Sequence, residues 1–336
     1  MNILNDLIYF TYIGADEELV IKEMYKADPE LFISHLDQIF DIEFRNALAE
    51  LIGAPKIEES EKAQQEINNI FTDIAHHFHA FISPEGREFW HSRGVTDDQI
   101  FEFCLGDNYI ELPREGKKWP SIIETDYYKG LAKQHSPNYV ALIRRAIHDQ
   151  ILTAQKLYGN GHAVCCPSFD NDGVCRGIVF RILHYKNNEH SLKNMFKFYN
   201  PFSWSYLFNY KTFENYDELI MVEGVFDALA LQRAGYHNVI SPSMVRLSPY
   251  HIRVLKDKKL HVLFDGDRGG LEGLKFIKDN FGDETNLLTL ALCPTERDFD
   301  EMTQAEIEHF MDMVSQYDVR QLTSNPPPEH SIRKVS

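Results

Sequence analysis

Between residues 216 and 318 the apolar positions fall into short continuous runs separated by amphipathic stretches. The runs "ELIMV" (218–222), "NVIS" (238–241), "HVLF" (261–264) and "NLLTLAL" (286–292) predict strands, and the stretches over 225–234, 248–257, 271–279 and 303–315 predict helices. Strands apolar throughout, alternating with helices, predict an α/β unit: a parallel four-stranded sheet with flanking helices on both faces. In such sheets a ligand sits beyond the carboxyl ends of the strands.

Upstream the rhythm differs. "DEELVIKEMYKADPELFISHLDQIFDIEFRNALAELIG" has helical spacing and predicts two or three amphipathic helices, one starting near Pro29, with a break at "GAPKIEES" (53–60) and a further helix through "EKAQQEINNIFTDIAHHFHAFI". Residues 83–215 read as mixed α+β. Helices are expected through "GREFWHSRG", "TDDQIFEFCLG" and "PNYVALIRRAIHDQILTAQKL", and "HAVCCPSFDNDGVCRGIVFRIL" alternates on both sides of "DNDG", which predicts a hairpin running to Arg181. These rhythms divide the chain into an all-helical region (1–82), a mixed α+β subdomain (83–215), the parallel α/β domain (216–318) and a tail (319–336). The tail carries three consecutive prolines and few apolar residues, and is expected to be disordered.

Composition narrows the setting. The 336 residues, 43% hydrophobic, supply enough apolar material for two or three cores. No run approaches the roughly 18 apolar residues of a membrane helix, and acids stand where a signal peptide would open with basic residues, so no membrane association and a cytoplasmic location are expected. The five cysteines form no CxxC pair, which points to reduced thiols and no zinc. His76, His77 and His79 lack the helical spacing and companion ligands of a metal site and read as surface or packing residues. The net charge of −17 argues at first against a nucleic-acid partner, yet it is uneven: residues 1–80 hold five Lys or Arg against sixteen Asp or Glu, whereas residues 114–200 hold thirteen against seven. A basic middle is compatible with phosphate binding or with a plain solvated face.

The strand ends supply the chemistry. Glu223 follows the first predicted strand, with Asp227 one helical turn on; Asp265 and Asp267 in "FDGDRGG" follow the third; Asp298 and Asp300 in "RDFD" lie shortly after the fourth. Parallel strands deliver these ends to one edge, so acids distant in sequence would converge. Converging carboxylates repel one another unless a cation is present, and hard oxygen ligands favour Mg²⁺ or Mn²⁺. Gly266, Gly269 and Gly270 would allow a tight turn there. The competing reading is that each acid caps a helix: Asp227 as a first-turn acid, the "DGDRGG" pair in an ordinary turn. An EF-hand beginning at Asp265 would need Glu at its twelfth position, which is Phe276, and no Walker A loop is present.

"EGVFDAL" and "FDGDRGG", each after a strand, resemble the motifs of the TOPRIM domain shared by DnaG-type primases, topoisomerases and some nucleases. The upstream "HSRGVTDDQIFEFCLGDN", the hairpin "CCPSFDNDGVCRGIVFRIL" and "KFYN" followed by "YLFNY" resemble DnaG-type primases in order and spacing. The resemblance covers about residues 85–315 and implies a TOPRIM-type fold for the α/β domain. It further implies that Asp265 and Asp267 are catalytic metal ligands, that Glu223 ligates metal or acts as acid–base, and that Asp227, Asp298 and Asp300 complete the metal-binding acidic set. Arg181, Lys197 and Asn200 match positions that hold template or nucleotide. Arg144, Arg145, Lys117 and Lys118 are added on charge alone, the last two beside Trp119, which either stacks on a base or simply packs.

The implied function is a DNA primase: synthesis of short RNA primers on a single-stranded DNA template from ribonucleoside triphosphates, by nucleotidyl transfer with two Mg²⁺ or Mn²⁺ ions. A replicative helicase acting in trans is an expected partner, and the location is the host cytoplasm if the chain is phage-encoded. Departures from the family are visible. No cysteine precedes Cys104 to build the family's zinc module, and "ISPSMVRLS" lacks the glycine usual after the second TOPRIM strand. Two alternatives stay open: a metal-dependent TOPRIM nuclease, and a non-catalytic replication subunit that binds nucleic acid.

Overall fold

The computed structural model describes residues 17–36, 42–56, 60–107, 163–183, 198–199, 206–243, 247–281, 287–293 and 298–315. They divide into two units: 17–90, 97–107, 163–183 and 198–199 in the first, and 91–96 with the described residues from 206 onward in the second. The helix expected over "PNYVALIRRAIHDQILTAQKL" and the tail from 319 lie outside the described residues. Among the described residues no helix is long and apolar enough to cross a membrane.

The first unit begins with α1 (Glu17–Ala27), α2 (Pro29–Leu36), α3 (Ile42–Ile52) and the long α4 (Ser60–Ala80), followed by α5 (Pro84–Ser92) and α6 (Asp97–Glu102). Proline opens α2 as expected, since the first helical position needs no amide hydrogen. An antiparallel sheet in the order β1 (Gly106–Asp107), β2 (Ala163–Phe169), β3 (Cys175–Ile182) and β4 (Phe198–Tyr199) packs against α4. The "DNDG" hairpin forms because Asp170 organises it: Oδ1 accepts the amides of Asp172 (3.0 Å) and Val174 (2.9 Å), and Oδ2 meets Arg176. The helix α4 is fastened to β3 where Cys175 N–H donates to Thr72 Oγ1 at 2.8 Å. None of the three histidines of α4 belongs to a metal cluster among the described residues: His76 stacks on Phe169, His77 lies against Phe81, and His79 Nδ1 bonds the Leu105 carbonyl at 2.8 Å.

The second unit is built on a parallel sheet in the order β6-β5-β7-β8, formed by β5 (Glu218–Val222), β6 (Val239–Ile240), β7 (Lys259–Phe264) and β8 (Leu287–Leu292). Its helices are α7 (Tyr210–Asn215), α8 (Val225–Arg233), α9 (Pro249–Leu255), α10 (Arg268–Phe281) and α11 (Gln304–Ser315), with a 3₁₀ turn at Phe299–Glu301. Leu219, Met221, Ile240, Leu260, Val262, Phe264, Leu274 and Ile277 make the core on one face, while Ile220, Val222, Leu263 and Leu229 are buried as well. Burial of successive strand residues explains why these strands read as unbroken apolar runs rather than as alternation. The helix α10 starts at Arg268, three residues before the expected start, because Asp267 caps it: its Oδ1 accepts the Gly270 amide at 2.8 Å. On the free side of β6, Asn209 Nδ2 donates to the Val239 carbonyl, and just past the strand Phe208 and Ser241 form an isolated antiparallel bridge.

Candidate active site

Strand register sets the site. Val222 of β5 pairs with Leu263 of β7, so Glu223 leaves the sheet beside Asp265, which follows Phe264. Phe264 in turn pairs with Leu292 at the end of β8, and the chain then reaches Asp298 and Asp300. Ser241, after β6, ties the edge together by donating from Oγ to the Glu223 carbonyl at 2.8 Å. Ser243 takes the left-handed conformation (φ 54°) in the turn where the family's glycine is missing, so the turn is made without one.

Asp227 stands at the centre. It lies in the first turn of α8, buried, with Oδ2 accepting the Gly224 amide at 3.1 Å and Oδ1 accepting the Phe299 amide at 3.1 Å. A side chain at Gly224 would strike this carboxylate, its Cβ falling 2.7 Å from Oδ2. Burial first, then the charges of Asp265, Asp300, Asp298 and Glu223, push the Asp227 carboxyl well above the usual carboxylate range. Sequence reasoning offered two roles for Asp227, and the geometry gives it both contacts: it starts α8 and it holds the Asp298–Asp300 turn.

The acids named from the sequence therefore separate. The charges of Glu223, Asp265, Asp298 and Asp300 all bear on Asp227 at the strand edge. Asp267 is exposed and spends one oxygen capping α10. Asp265 begins a turn closed by Gly270, where any Cβ would overlap the Asp265 carbonyl. Arg181 lies in β3 of the first unit, its charge felt by Cys166. Lys197, Asn200, Arg144, Arg145, Lys117 and Lys118, like Trp119, lie outside the described residues.

One residue at this edge escaped the sequence reading. Arg93, from the "SRG" that follows α5, belongs to the second unit, and its Nη2 meets Asp300 Oδ2 at 2.6 Å. Its guanidinium lies 5.1 Å from the centroid of the Phe226 ring. "SRG" was available as a signal, but only as a marker of resemblance; nothing in its spacing tied it to an acid two hundred residues away.

The donor set, carboxylate oxygens alone, suits a hard divalent cation. Oε2 of Glu223, Oδ1 of Asp265 and Oδ1 of Asp300 are buried atoms with no hydrogen-bond donor on them. Among the described residues no three acid, histidine or cysteine side chains close around a single point as a protein cage would. Mg²⁺ ordinarily keeps several of its waters and is held by one or two carboxylates together with substrate phosphates.

Comparison with known proteins places this edge in a defined class: residues 217–291 match the Toprim domain, a fold that implies use of divalent metal in general. The particular architecture is that of DnaG primase catalytic cores. The Aquifex aeolicus primase, zinc-binding and RNA polymerase domains, superposes with a TM-score of 0.52 over 84% of this chain and 69% of that one at 20% identity. The DnaG primase catalytic domain bound to single-stranded DNA gives a TM-score of 0.51 over 77% of this chain and 83% of that one at 18% identity. In sequence, DNA primase DnaG of Staphylothermus marinus is 38% identical over 96 residues, 27% of this chain and 21% of that protein. The chain thus spans about a fifth of the length of the curated relatives it matches.

Proposed function

We propose that the protein is a DNA primase, making short RNA primers on single-stranded DNA from ribonucleoside triphosphates. The observation that carries this reading is the convergence of Glu223, Asp227, Asp265, Asp298 and Asp300 at the carboxyl edge of a Toprim sheet set within a primase-core fold. The single-stranded DNA named for one structural relative supports the template assignment.

In this reading Glu223, Asp265, Asp267 and Asp298 would hold two Mg²⁺ or Mn²⁺ ions. Once bound, the ions would supply positive charge against the triphosphate and the pyrophosphate that leaves. Glu223 takes the proton of the attacking 3′-hydroxyl as the new O–P bond forms and the α–β phosphate bond breaks. Asp227 fixes the turn that carries Asp298 and Asp300, and Gly270 keeps the Asp265 turn tight. The mixed subdomain 83–215 would hold template and nucleotide through Arg181, Lys197 and Asn200, aided by Arg144, Arg145, Lys117 and Lys118, while 216–318 performs the transfer. A replicative helicase in trans and a cytoplasmic setting complete the proposal.

The test is primer synthesis on an unstructured single strand with Mg²⁺ or Mn²⁺, with Asp265→Ala as control. Dinucleotides and short RNA from the wild type, and none from the variant, support the reading. No product on any template, with or without helicase, sinks it. Because the Toprim match alone also suits a nuclease, labelled DNA and RNA are incubated without nucleotides, and metal-dependent cutting would favour hydrolysis instead.

A further inference from the structure

Arg93 is held in place from several sides. Gly94 follows it with φ 72°, a conformation natural to glycine, and Arg233 of α8 donates from Nη1 to the Gly94 carbonyl at 2.6 Å. The Phe226 face supports the guanidinium. Its partner Asp300 is equally fixed, since the preceding Phe299 amide is bound by Asp227. The Asp300 side chain is only 2% exposed and that of Arg93 27%, which sets this pair apart from the mobile surface ion pairs that contribute little. Four acids act on Asp227, and one of them, Asp300, is matched by a guanidinium.

We propose that Arg93 is a positioning residue that limits cation occupancy of the carboxylate edge: by pairing with Asp300 it withholds that carboxylate and sets a positive charge beside the others. The protein alone then binds divalent ions weakly, and tight occupancy awaits the extra negative charge of a bound triphosphate. This rests on the proposed reading of the edge as a divalent-ion site and adds to it a control on when the ion stays.

The test is Mn²⁺ binding to the full chain without nucleotide, read from the electron paramagnetic resonance signal of free Mn²⁺. Arg93→Met is expected to bind Mn²⁺ on the order of tenfold more tightly than wild type, because a repelling charge is gone and Asp300 is released. Asp300→Asn is expected to bind more weakly, since the freed guanidinium faces the remaining acids. The double variant Arg93→Met/Asp300→Asn restores the charge balance and is expected to return close to wild type. Unchanged or weaker binding by Arg93→Met overturns the proposal. So does a double variant as weak as Asp300→Asn, which would make Asp300 a direct ligand. Should Arg93→Met not fold, the comparison of Asp300→Asn with the double variant decides in the same way. Asp265→Asn separates the two levels: if it binds Mn²⁺ as wild type does, the divalent-ion reading fails and this proposal with it. If it loses binding while Arg93→Met is unchanged, only the role of Arg93 falls.

Discussion

Two buried aspartates, one in each unit, both secure the start of a helix, yet their surroundings are opposites. Asp107, at the end of β1, accepts the Ser83 amide on Oδ1 at 3.2 Å and the Ser83 hydroxyl on Oδ2, just ahead of α5. Asp227 accepts the Gly224 and Phe299 amides ahead of α8, but Glu223, Asp265, Asp298 and Asp300 crowd it. A lone buried carboxylate matched by its own donors is a structural part. Four acids set around a buried fifth raise the cost of charging it, and such an arrangement persists where the fold holds it for something other than stability.

This contrast can be broken by experiment. The largest effect is expected from Asp265→Asn: on the proposed primase reading, primer synthesis falls at least about 10²-fold while the urea midpoint stays at or above that of wild type, since a like charge has been removed. Asp107→Asn should do the reverse, costing about 2–3 kcal/mol of unfolding free energy in urea titrations, because a charged acceptor of several hydrogen bonds is lost. If the Asp107 variant proves the inactive one and the Asp265 variant the unstable one, the contrast is wrong.

A buried histidine sharpens it, by showing that a solitary, fully bonded titratable group also occurs in the second unit. His251 donates from Nε2 to the Tyr206 carbonyl at 2.8 Å and accepts the Ser248 amide on Nδ1 at 3.2 Å, a pattern that assigns the neutral ring with its proton on Nε2. Burial lowers its pKa to about 4, partly opposed by the Tyr206 carbonyl. The folded state therefore resists a proton that the unfolded chain takes up below about 6.5, so the stabilisation is complete above that pH and is lost as the pH falls towards 4. The loss across this window is about 3 kcal/mol. Urea titrations at pH 7 and pH 4 should show it, and His251→Gln should be less stable at pH 7 with a flatter decline.

Smaller effects test the crowded site itself. Asp227→Asn gives up one acceptor but relieves repulsion, so it should cost less than Asp107→Asn, about 1 kcal/mol or under by urea unfolding. Gly94→Ala forces a left-handed alanine, with its Cβ 2.9 Å from Arg233 Nη1, and should cost about 1 kcal/mol in the same measurement.

The sequence was most legible where burial is symmetric. The strands β5, β7 and β8 fall within two residues of the apolar runs that announced them, because past the exposed first residues of β5 and β7 successive positions are buried or half-buried rather than alternating with exposed ones. The "DNDG" hairpin was readable because Asp170 and Gly173 act locally. The convergence of acids followed from topology alone. What stayed hidden depends on partners far along the chain. The two-residue β1 has no periodicity to detect, and Gly106 is there because the backbone of Phe78 leaves no room for a Cβ. Arg93 meets Asp300 only after the whole second unit has assembled, and the same holds for the Phe299 amide that Asp227 binds.

The short pairing of Phe208 with Ser241 has a practical side. Phe208 and Asn209 take up hydrogen-bonding groups on the open flank of β6 and just past it: Phe208 N–H donates to the Ser241 carbonyl at 2.6 Å and Asn209 Nδ2 to the Val239 carbonyl at 2.9 Å. A fragment begun at the natural-looking boundary before β5 would strip that cover and leave a bare strand edge, which invites pairing with a second copy and aggregation. Anyone isolating the Toprim portion should start the fragment ahead of Tyr206.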